Sequence, residues 1–280
     1  MSQKALKIAI VGKTNAGKST LVNKLVGETV SIINKKINTT QELIIGVTNV
    51  NNNQLIFYDT PGFNFIKSTI KIQKKIKINL WQAINESEII LFMIDSNKIN
   101  YREISNHLVL LKKINKKIFI VFNKIDLIEK NNILPVIKKI NQDFSIEHFL
   151  NISAINNLGI NKMLKILVKY VKNNKWLFSK DEITDKDNIF ITNECTRNSI
   201  LHYLHKELPY NINIKNIGFK NLKNGDLKIK QTLQIANLRY KKIILGKKGE
   251  KIKKIRELSQ KQISKIFNCK THLYLEVVSQ

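Results

Sequence analysis

The residues best suited to chemistry begin at Gly12, where Gly-Lys-Thr-Asn-Ala-Gly-Lys-Ser matches the phosphate-binding loop pattern GxxxxGK[ST]. Such glycines let the main chain wrap a phosphate chain, so that its N–H groups face the anion at a helix N-terminus. We expect Lys18 to contact the β- and γ-phosphates and the Ser19 hydroxyl to bind Mg²⁺. The predicted phosphate-binding residues are Gly12, Lys13, Thr14, Asn15, Ala16, Gly17, Lys18, Ser19 and Thr20.

A second candidate segment, Asp59-Thr60-Pro61-Gly62, follows an apolar run. Here a carboxylate can hold Mg²⁺ through water, and the Gly62 N–H can sense the γ-phosphate of a nucleotide. Taken alone, the segment is equally consistent with an ordinary Pro-Gly turn. Its distance from the upstream loop favours the nucleotide-binding interpretation, and we therefore assign Asp59 to Mg²⁺ and the whole segment to the nucleotide.

A third segment, Asn123-Lys124-Ile125-Asp126, would recognise the base. The Asp126 carboxylate is a double acceptor that matches N1–H and the exocyclic amine of guanine, whereas adenine offers neither group. A mismatch would leave buried polar groups unpaired, so the segment predicts GTP rather than ATP as the ligand. Ser153-Ala154 follows the next apolar run, where a main-chain N–H can meet guanine O6.

A fourth segment, Gly246-Lys247-Lys248-Gly249, lies between two helical patterns. A GxxG turn in this setting is typical of KH domains, in which the turn approaches a nucleic-acid backbone. Residues 237–270 hold twelve Lys or Arg side chains and only two acidic ones, which favours a nucleic-acid surface. The alternative is a solvated face in a lysine-rich protein. The predicted RNA-binding residues are Gly246, Lys247, Lys248, Gly249, Lys251, Lys253 and Lys254.

The elements that must position the first three segments are short apolar runs alternating with helical patterns. Most of these runs are continuously apolar, as expected for strands buried on both faces of a parallel sheet. The predicted strands are 6–11, 43–50, 55–59, 89–95, 118–123 and 148–153. The predicted helices are 18–26, 70–85, 101–114, 134–141 and 160–171. This order predicts an α/β domain with a mostly parallel sheet and helices on both faces.

From residue 173 the pattern changes to one helix, two strands, a helical pair and a last strand. An α-β-β-α-α-β order indicates a separate, smaller α+β domain. We therefore predict a first domain over 1–172, a linker over 173–188 and a second domain over 189–280.

The composition restricts the class of protein. The net charge of +27 favours a polyanionic partner, either nucleic acid or an anionic membrane surface, while 43% hydrophobic residues exclude a disordered polycation. Lys, Ile and Asn all have AT-rich codons, and only four residues are Arg, the side chain best suited to bidentate phosphate contacts. The total charge is therefore weaker evidence for a polyanionic partner than the place where the charge is concentrated. Two distant cysteines, a strand-like N-terminus and the lack of a long apolar run predict a soluble, cytoplasmic protein.

The nucleotide-binding segments resemble those of the translation-factor-related small GTPases, and the whole chain is similar to the Era family, a P-loop GTPase domain followed by a type II KH domain. The stretch at 36–41 is similar to the family's QTTR sequence, which implies that Thr40 senses Mg²⁺. Here Asn38 replaces the usual Gln and Gln41 replaces the usual Arg.

Two further positions bear on hydrolysis. Asn15 occupies the position that helps to bind K⁺ in the potassium-activated GTPases, and Phe63 stands where Ras-like enzymes carry a water-orienting Gln. A bound K⁺ would supply charge stabilisation of the kind an arginine finger gives. The resemblance thus implies a slow, K⁺-stimulated GTPase in which Lys18, Asn15, Thr40 and Gly62 are the catalytic residues.

The Era resemblance implies a monomer that binds the 3′ end of 16S rRNA and assists assembly of the small (30S) ribosomal subunit. It also implies peripheral association with the inner face of the cell membrane. Two alternatives remain from the residues themselves: a membrane-associated signalling GTPase, and an RNA-binding module whose nucleotide domain binds GTP without hydrolysing it.

Overall fold

The fold was determined as a computed structural model that describes residues 3–27, 43–62, 71–129, 132–180, 182–204 and 208–279. The described residues form two compact units, one up to Asp185 and the other from Lys186 onward. Thr40, Asn38, Gln41 and Phe63 lie outside the described residues.

The first unit is built on a six-stranded sheet in the order β2-β3-β1-β4-β5-β6. Only β2 runs antiparallel to its neighbour, and the other adjacent strands pair in parallel, as predicted. The strands are β1 (Lys4–Gly12), β2 (Ile44–Val50), β3 (Asn53–Asp59), β4 (Ile89–Asp95), β5 (Lys117–Asn123) and β6 (His148–Asn151). The helices are α1 (Lys18–Val26), α2 (Lys71–Glu86), α3 (Tyr101–Lys112), α4 (Leu134–Phe144) and α5 (Ile160–Val168).

Both faces of the central strands are buried, which is why their sequences are continuously apolar. In β1, Ala9 and Val11 pack with side chains of α2, α3 and α4. Ile8 and Ile10 point to the opposite face and are equally inaccessible to solvent. Because β1, β3, β4, β5 and β6 are parallel, their carboxyl ends meet at one edge of the sheet and present the loops that follow them there.

The segment after α5 stays attached to the first unit. Lys172 and Ala5 exchange main-chain hydrogen bonds, and the fully buried side chain of Gln54 holds the chain a few residues later. Gln54 Oε1 accepts hydrogen bonds from the N–H groups of Leu177 (2.9 Å) and Phe178 (3.1 Å), and its Nε2 donates to the Phe178 carbonyl oxygen (2.9 Å). Much of the stretch that the sequence suggests as a linker therefore lies along the first unit, and the domain limits stay a prediction.

The second unit has the predicted α-β-β-α-α-β order. Its elements are α6 (Asn188–Tyr203), β7 (Ile212–Asn221), β8 (Leu227–Ile235), α7 (Leu238–Leu245), α8 (Glu250–Ile266) and β9 (Thr271–Ser279). The central strand β8 pairs antiparallel with β7 and parallel with β9. Ile200 of α6, Ile244 of α7 and Ile255 of α8 pack with Leu233 of β8 in one apolar core. The three helices therefore cover one face of this sheet.

The described residues contain neither a membrane-spanning helix nor a disulfide. No helix in these ranges is long and apolar enough to span a bilayer. Neither cysteine there forms a disulfide, and burial raises the pKa of the Cys195 thiol to about 12, so it stays protonated at neutral pH.

Candidate functional site

The phosphate-binding loop connects the end of β1 to the start of α1. Three of its residues have positive φ, namely Gly12 (153°), Asn15 (66°) and Gly17 (97°). A Cβ atom on Gly12 would lie 2.3 Å from the carbonyl oxygen of Met93 on the neighbouring strand β4, so only glycine fits there. The loop therefore packs closely against β4 and leads directly into the N-terminus of α1, the helix end at which an anion is favoured.

Lys18 is the buried cation of this loop, with 6% of its surface exposed. Its Nζ donates hydrogen bonds to the carbonyl oxygens of Gly12 (3.1 Å) and Lys13 (2.9 Å). Burial lowers the pKa of Lys18 to about 8, and the Asp59 carboxylate opposes that decrease. Burial disfavours the charged ammonium. An anion bound beside Lys18 would favour the charged form again, and the ammonium would in turn stabilise the bound anion.

The Asp59–Gly62 segment lies directly against this loop. Asp59 is completely buried at the end of β3, and the Thr60 hydroxyl donates to the carbonyl oxygen of Ile10 at 2.7 Å. A Cβ atom on Gly62 would lie 2.3 Å from Thr14 Oγ1 and 2.7 Å from the Thr14 nitrogen. The two segments predicted to surround the phosphates are therefore in contact, and glycine is required at the point of closest approach.

Asn123 joins the base-recognition segment to two other loops. Its Nδ2 donates to the Ala16 carbonyl oxygen (2.8 Å), and its Oδ1 accepts from the Ala154 N–H (3.0 Å). A Cβ atom on Gly17 would lie 2.2 Å from Asn123 Nδ2, so the phosphate loop closely approaches this side chain. One buried amide thus fixes the phosphate loop, the base-recognition loop and the Ser153-Ala154 loop relative to one another.

The other two predicted base-recognition residues, Lys124 and Asp126, follow Asn123 closely in the chain. Lys124 has a left-handed conformation (φ 64°), and its Nζ lies 2.6 Å from Asp95 Oδ2 at the end of β4. Asp126 is exposed in a short 3-10 turn, where its carboxylate is accessible to a base. Sequence reasoning missed Asp95. The available signal was its position as the last residue of a predicted strand, which the register pairs with Asn123.

The Ser153-Ala154 pair lies where the sequence predicts, but both of its N–H groups have protein acceptors. The Ser153 N–H donates to the Leu158 carbonyl oxygen at 3.1 Å, and the Ala154 N–H donates to Asn123. Contact with guanine O6 stays a prediction.

The donor chemistry fits Mg²⁺. The Ser19 hydroxyl and the Asp59 carboxylate offer the hard oxygen ligands that Mg²⁺ prefers. No group of three or more His, Cys, Asp or Glu side chains that could hold a metal occurs among the described residues. Mg²⁺ is usually held by one or two protein oxygens together with water and phosphate. The predicted contribution of Thr40 lies outside the described residues.

The Gly246–Gly249 turn connects α7 to α8. Gly246, Lys248 and Gly249 all have positive φ, and Lys247 and Lys248 are exposed. A Cβ atom on Gly246 would lie 2.7 Å from the Cβ of Lys251, whereas one on Gly249 would meet no atom within 4 Å. The protein therefore leaves no room for a side chain at Gly246 but leaves open space beside Gly249.

The lysines after this turn are partly paired. Lys251 is half-buried, while Lys253 and Lys254 are exposed. Lys254 lies 2.8 Å from Glu250, and Lys253 lies 4.0 Å from Glu257. Exposed pairs of this kind contribute at most about 1 kcal/mol, so a phosphate can displace either carboxylate.

Comparisons with known proteins agree with both units. A family described as 50S ribosome-binding GTPase matches residues 7–124, and the KH domain family matches residues 200–280. GTPase Era of Rickettsia canadensis (strain McKiel) is 34% identical over 276 residues, which cover 98% of this chain and 92% of that protein. GTPase Era of Ehrlichia canis (strain Jake) is 35% identical over 269 residues, covering 96% and 90%.

Two solved structures are similar over the whole chain. One is the crystal structure of Era in complex with MgGDPNP and nucleotides 1506–1542 of 16S ribosomal RNA. It has a TM-score of 0.89 and 32% identity, and the match covers 99% of this chain and 94% of that one. The other is a variant of Aquifex aeolicus Era bound to GDP·AlF₄⁻, also with a TM-score of 0.89 and 32% identity, covering 100% and 94%.

Proposed function

Because the chain belongs to the GTPase Era family, we propose that it is a GTP-hydrolysing switch that binds 16S rRNA near its 3′ end and assists assembly of the 30S subunit. One observation carries the proposal. The chain combines a guanine-nucleotide site, whose loops are joined by Asn123, with a separate KH unit that presents an exposed Gly-Lys-Lys-Gly turn. Nucleotide binding and RNA binding therefore have distinct surfaces in one protein.

In this function each loop has a separate task. Lys18 binds the β- and γ-phosphates, the Gly62 N–H senses the γ-phosphate, and the Asp126 carboxylate selects guanine. Ser19 and Asp59, together with Thr40, would hold Mg²⁺, which would supply positive charge to the phosphates during hydrolysis. The exclusion of side chains at Gly12 and Gly62 keeps main-chain N–H groups within reach of the phosphates.

We further propose that hydrolysis is slow and stimulated by K⁺. Asn15 is exposed in the phosphate loop and its φ is positive, and its amide oxygen is a ligand type suited to an alkali cation. Steady GTP turnover is expected in KCl, with a decrease when NaCl replaces KCl and a decrease in KCl on Asn15→Ala. Equal turnover in both salts would contradict the K⁺ site without affecting the guanine site.

The switch is tested by RNA retention in three nucleotide states. Immobilised 16S rRNA 3′-end fragment is incubated with the full chain plus GTP analogue, GDP or no nucleotide. Retention is expected to differ between the analogue and GDP. Equal retention in all three states would exclude a nucleotide-controlled RNA switch, and Gly249→Asn, whose added Cβ would meet no protein atom within 4 Å, is the control with a weakened RNA-binding turn.

The competing function is a signalling GTPase at an anionic membrane surface, for which the net charge of +27 is the supporting observation. A monomer whose lysines meet lipid headgroups would bind anionic vesicles independently of the Gly246–Gly249 turn. Vesicle binding that persists in the Gly249→Asn variant, while its binding of a short single-stranded RNA is weakened, would favour this function.

A further inference from the structure

The sheet of the second unit has two different faces. Residues 227, 229, 231, 233 and 235 of β8 are buried and point toward the helices, while the alternate positions point to the other side. On that other side, which we call the open face, most outward side chains of the three strands are exposed or half-buried. They are Asn213, Lys215, Lys220, Lys228, Lys230, Gln234, His272, Tyr274, Glu276 and Val278, and Thr232 is buried among them.

Positive charge is concentrated at the end of the open face nearest the β7–β8 turn. Lys220 of β7 lies directly opposite Lys228 of β8, and Lys230 follows two residues later on the same face. Within the described part of the chain none of the three forms an ion pair. The nearby Asp226 carboxylate is hydrogen-bonded to His272, with 2.7 Å between Asp226 Oδ2 and His272 Nε2. Like charges directly opposite each other destabilise a sheet, so folding alone does not account for this arrangement.

An aromatic ring lies beside these lysines. Tyr274 of β9 is 53% exposed, and its ring centroid lies 5.6 Å from Lys228 Nζ. The register places Gly218, Lys230 and Tyr274 in one row across the three strands. Because Gly218 has no side chain, the surface is flat at one end of that row. A flat sheet with an exposed aromatic ring among cations is the surface on which bases of single-stranded RNA stack.

We propose that Lys220, Lys228, Lys230 and Tyr274, which we call the open-face cluster, form a second RNA-contact surface, separate from the Gly246–Gly249 turn. The lysines contact phosphates, and Tyr274 stacks on a base. Charge complementarity identifies a polyanion, and the exposed Tyr274 ring beside the lysines, on which a base can stack, favours single-stranded RNA as that polyanion. The role depends on RNA being the ligand, as proposed above.

The test uses the full chain and two RNAs. One is the fragment of nucleotides 1506–1542 of 16S rRNA, and the other is a single strand of about six nucleotides, enough for a KH turn that clamps four. Lys220→Gln/Lys228→Gln/Lys230→Gln is expected to weaken long-RNA binding at least about tenfold and to reduce the slope of log K against log[salt] by about two. Binding of the short RNA is expected to stay unchanged.

Tyr274 provides a second, uncharged measurement. Tyr274→Ala is expected to weaken long-RNA binding by about fivefold or more, while Tyr274→Phe, which keeps the stacking ring, retains most of the affinity. The matched charge control is Lys138→Gln/Lys162→Gln/Lys165→Gln, which removes three exposed lysines from α4 and α5. Circular dichroism of each variant confirms that it is folded.

The outcomes separate this surface from the proposed function. If the open-face and control triple variants bind the long RNA equally well while the wild type still binds the short RNA, the open-face cluster is excluded and the proposed function stands. If the wild type binds neither RNA, both fail. If the open-face variant loses binding to anionic vesicles but keeps long-RNA affinity, the surface binds membrane and the RNA assignment is overturned.

Discussion

The side-chain amide of Asn123 donates a 2.8 Å hydrogen bond to the carbonyl oxygen of Ala16. Its oxygen also accepts from the Ala154 N–H, so Asn123→Ala would leave two main-chain groups without their partner. Each buried group left unpaired costs about 1–3 kcal/mol. We expect a lower free energy of urea unfolding and weaker GDP binding. The control, Asn161→Ala at an exposed position of α5, should change neither, and equal effects of the two substitutions would contradict the role of Asn123.

Gly62→Ala tests the contact between the Asp59–Gly62 segment and the phosphate loop. The new Cβ would lie 2.3 Å from Thr14 Oγ1, so one of the two segments must move. We expect GDP affinity, measured by calorimetry, to fall at least about tenfold because the phosphate loop loses its position. Gly225→Ala in the β7–β8 turn is the control, since its Cβ would meet no atom within 4 Å. Normal GDP affinity in Gly62→Ala would show that the segments are not in contact when nucleotide binds.

Lys18 predicts a pH dependence of nucleotide binding. Burial lowers the pKa of its ammonium to about 8, and a bound phosphate would raise that pKa again. Below pH 8 Lys18 is protonated before binding, so affinity is constant. Above pH 8 binding requires proton uptake, so affinity falls. We expect GDP affinity to decrease about tenfold between pH 7 and pH 9.

The matched variant for this measurement is Lys18→Arg, because a guanidinium stays protonated over the whole range. Its GDP affinity is expected to be lower at pH 7 but nearly independent of pH up to 9. The same decrease in both proteins would assign the pH dependence to another group, and calorimetry in buffers of different ionisation enthalpy would measure the proton uptake directly.

Much of this architecture was predictable because each signal was local. The predicted helix over 18–26 has the observed bounds, since a glycine precedes it and another follows it. The turn that joins β2 to β3 lies in a run of three asparagines, a residue type that favours turns. Long-range partners were not predictable. Gln54 stands between three asparagines and the apolar residues of β3, and only the structure shows that its amide binds the main chain of residues 177 and 178.

The candidate site residues also divide into those that a local motif identifies and those that only a long-range contact reveals. The motifs identify Lys18 and Asn123, because particular chemistry requires those residue types at that spacing. They do not identify Asp95, whose pairing with Lys124 depends on two strands lying side by side. The open-face cluster is also absent from any motif, since Lys220, Lys228 and Tyr274 come together only through the register of three strands.

Asp126→Asn tests base selection. The carboxylate accepts from two guanine donors, whereas the amide presents one donor and one acceptor. Affinity for GTP is therefore expected to fall at least about a hundredfold, and affinity for xanthosine triphosphate, which carries an oxygen at position 2, is expected to rise. Competition binding with the two nucleotides measures both changes. Unchanged preference for GTP would mean that the exposed Asp126 does not contact the base, and Glu129→Gln, also exposed, is the control.

The two glycines of the RNA-binding turn are expected to respond differently to substitution. Gly246 has φ 72° and ψ −176°, and an added Cβ would lie 2.7 Å from the Cβ of Lys251. Gly246→Ala should therefore lower the free energy of unfolding by about 1–3 kcal/mol and disturb the turn itself. Loss of RNA binding in that variant would report folding as much as contact, so it cannot identify the surface alone.

Gly249 is the position at which a substitution separates the effect on folding from the effect on RNA contact. Its φ of 78° and ψ of 9° are the left-handed values that Asn tolerates best among the other residues, and an added side chain would meet no protein atom within 4 Å. Gly249→Asn is expected to keep nearly the full unfolding free energy while weakening short-RNA binding at least about tenfold, because the new side chain occupies the space into which the RNA backbone must come. If Gly249→Asn binds the short RNA as well as the wild type does, the backbone of the RNA does not pass over this turn.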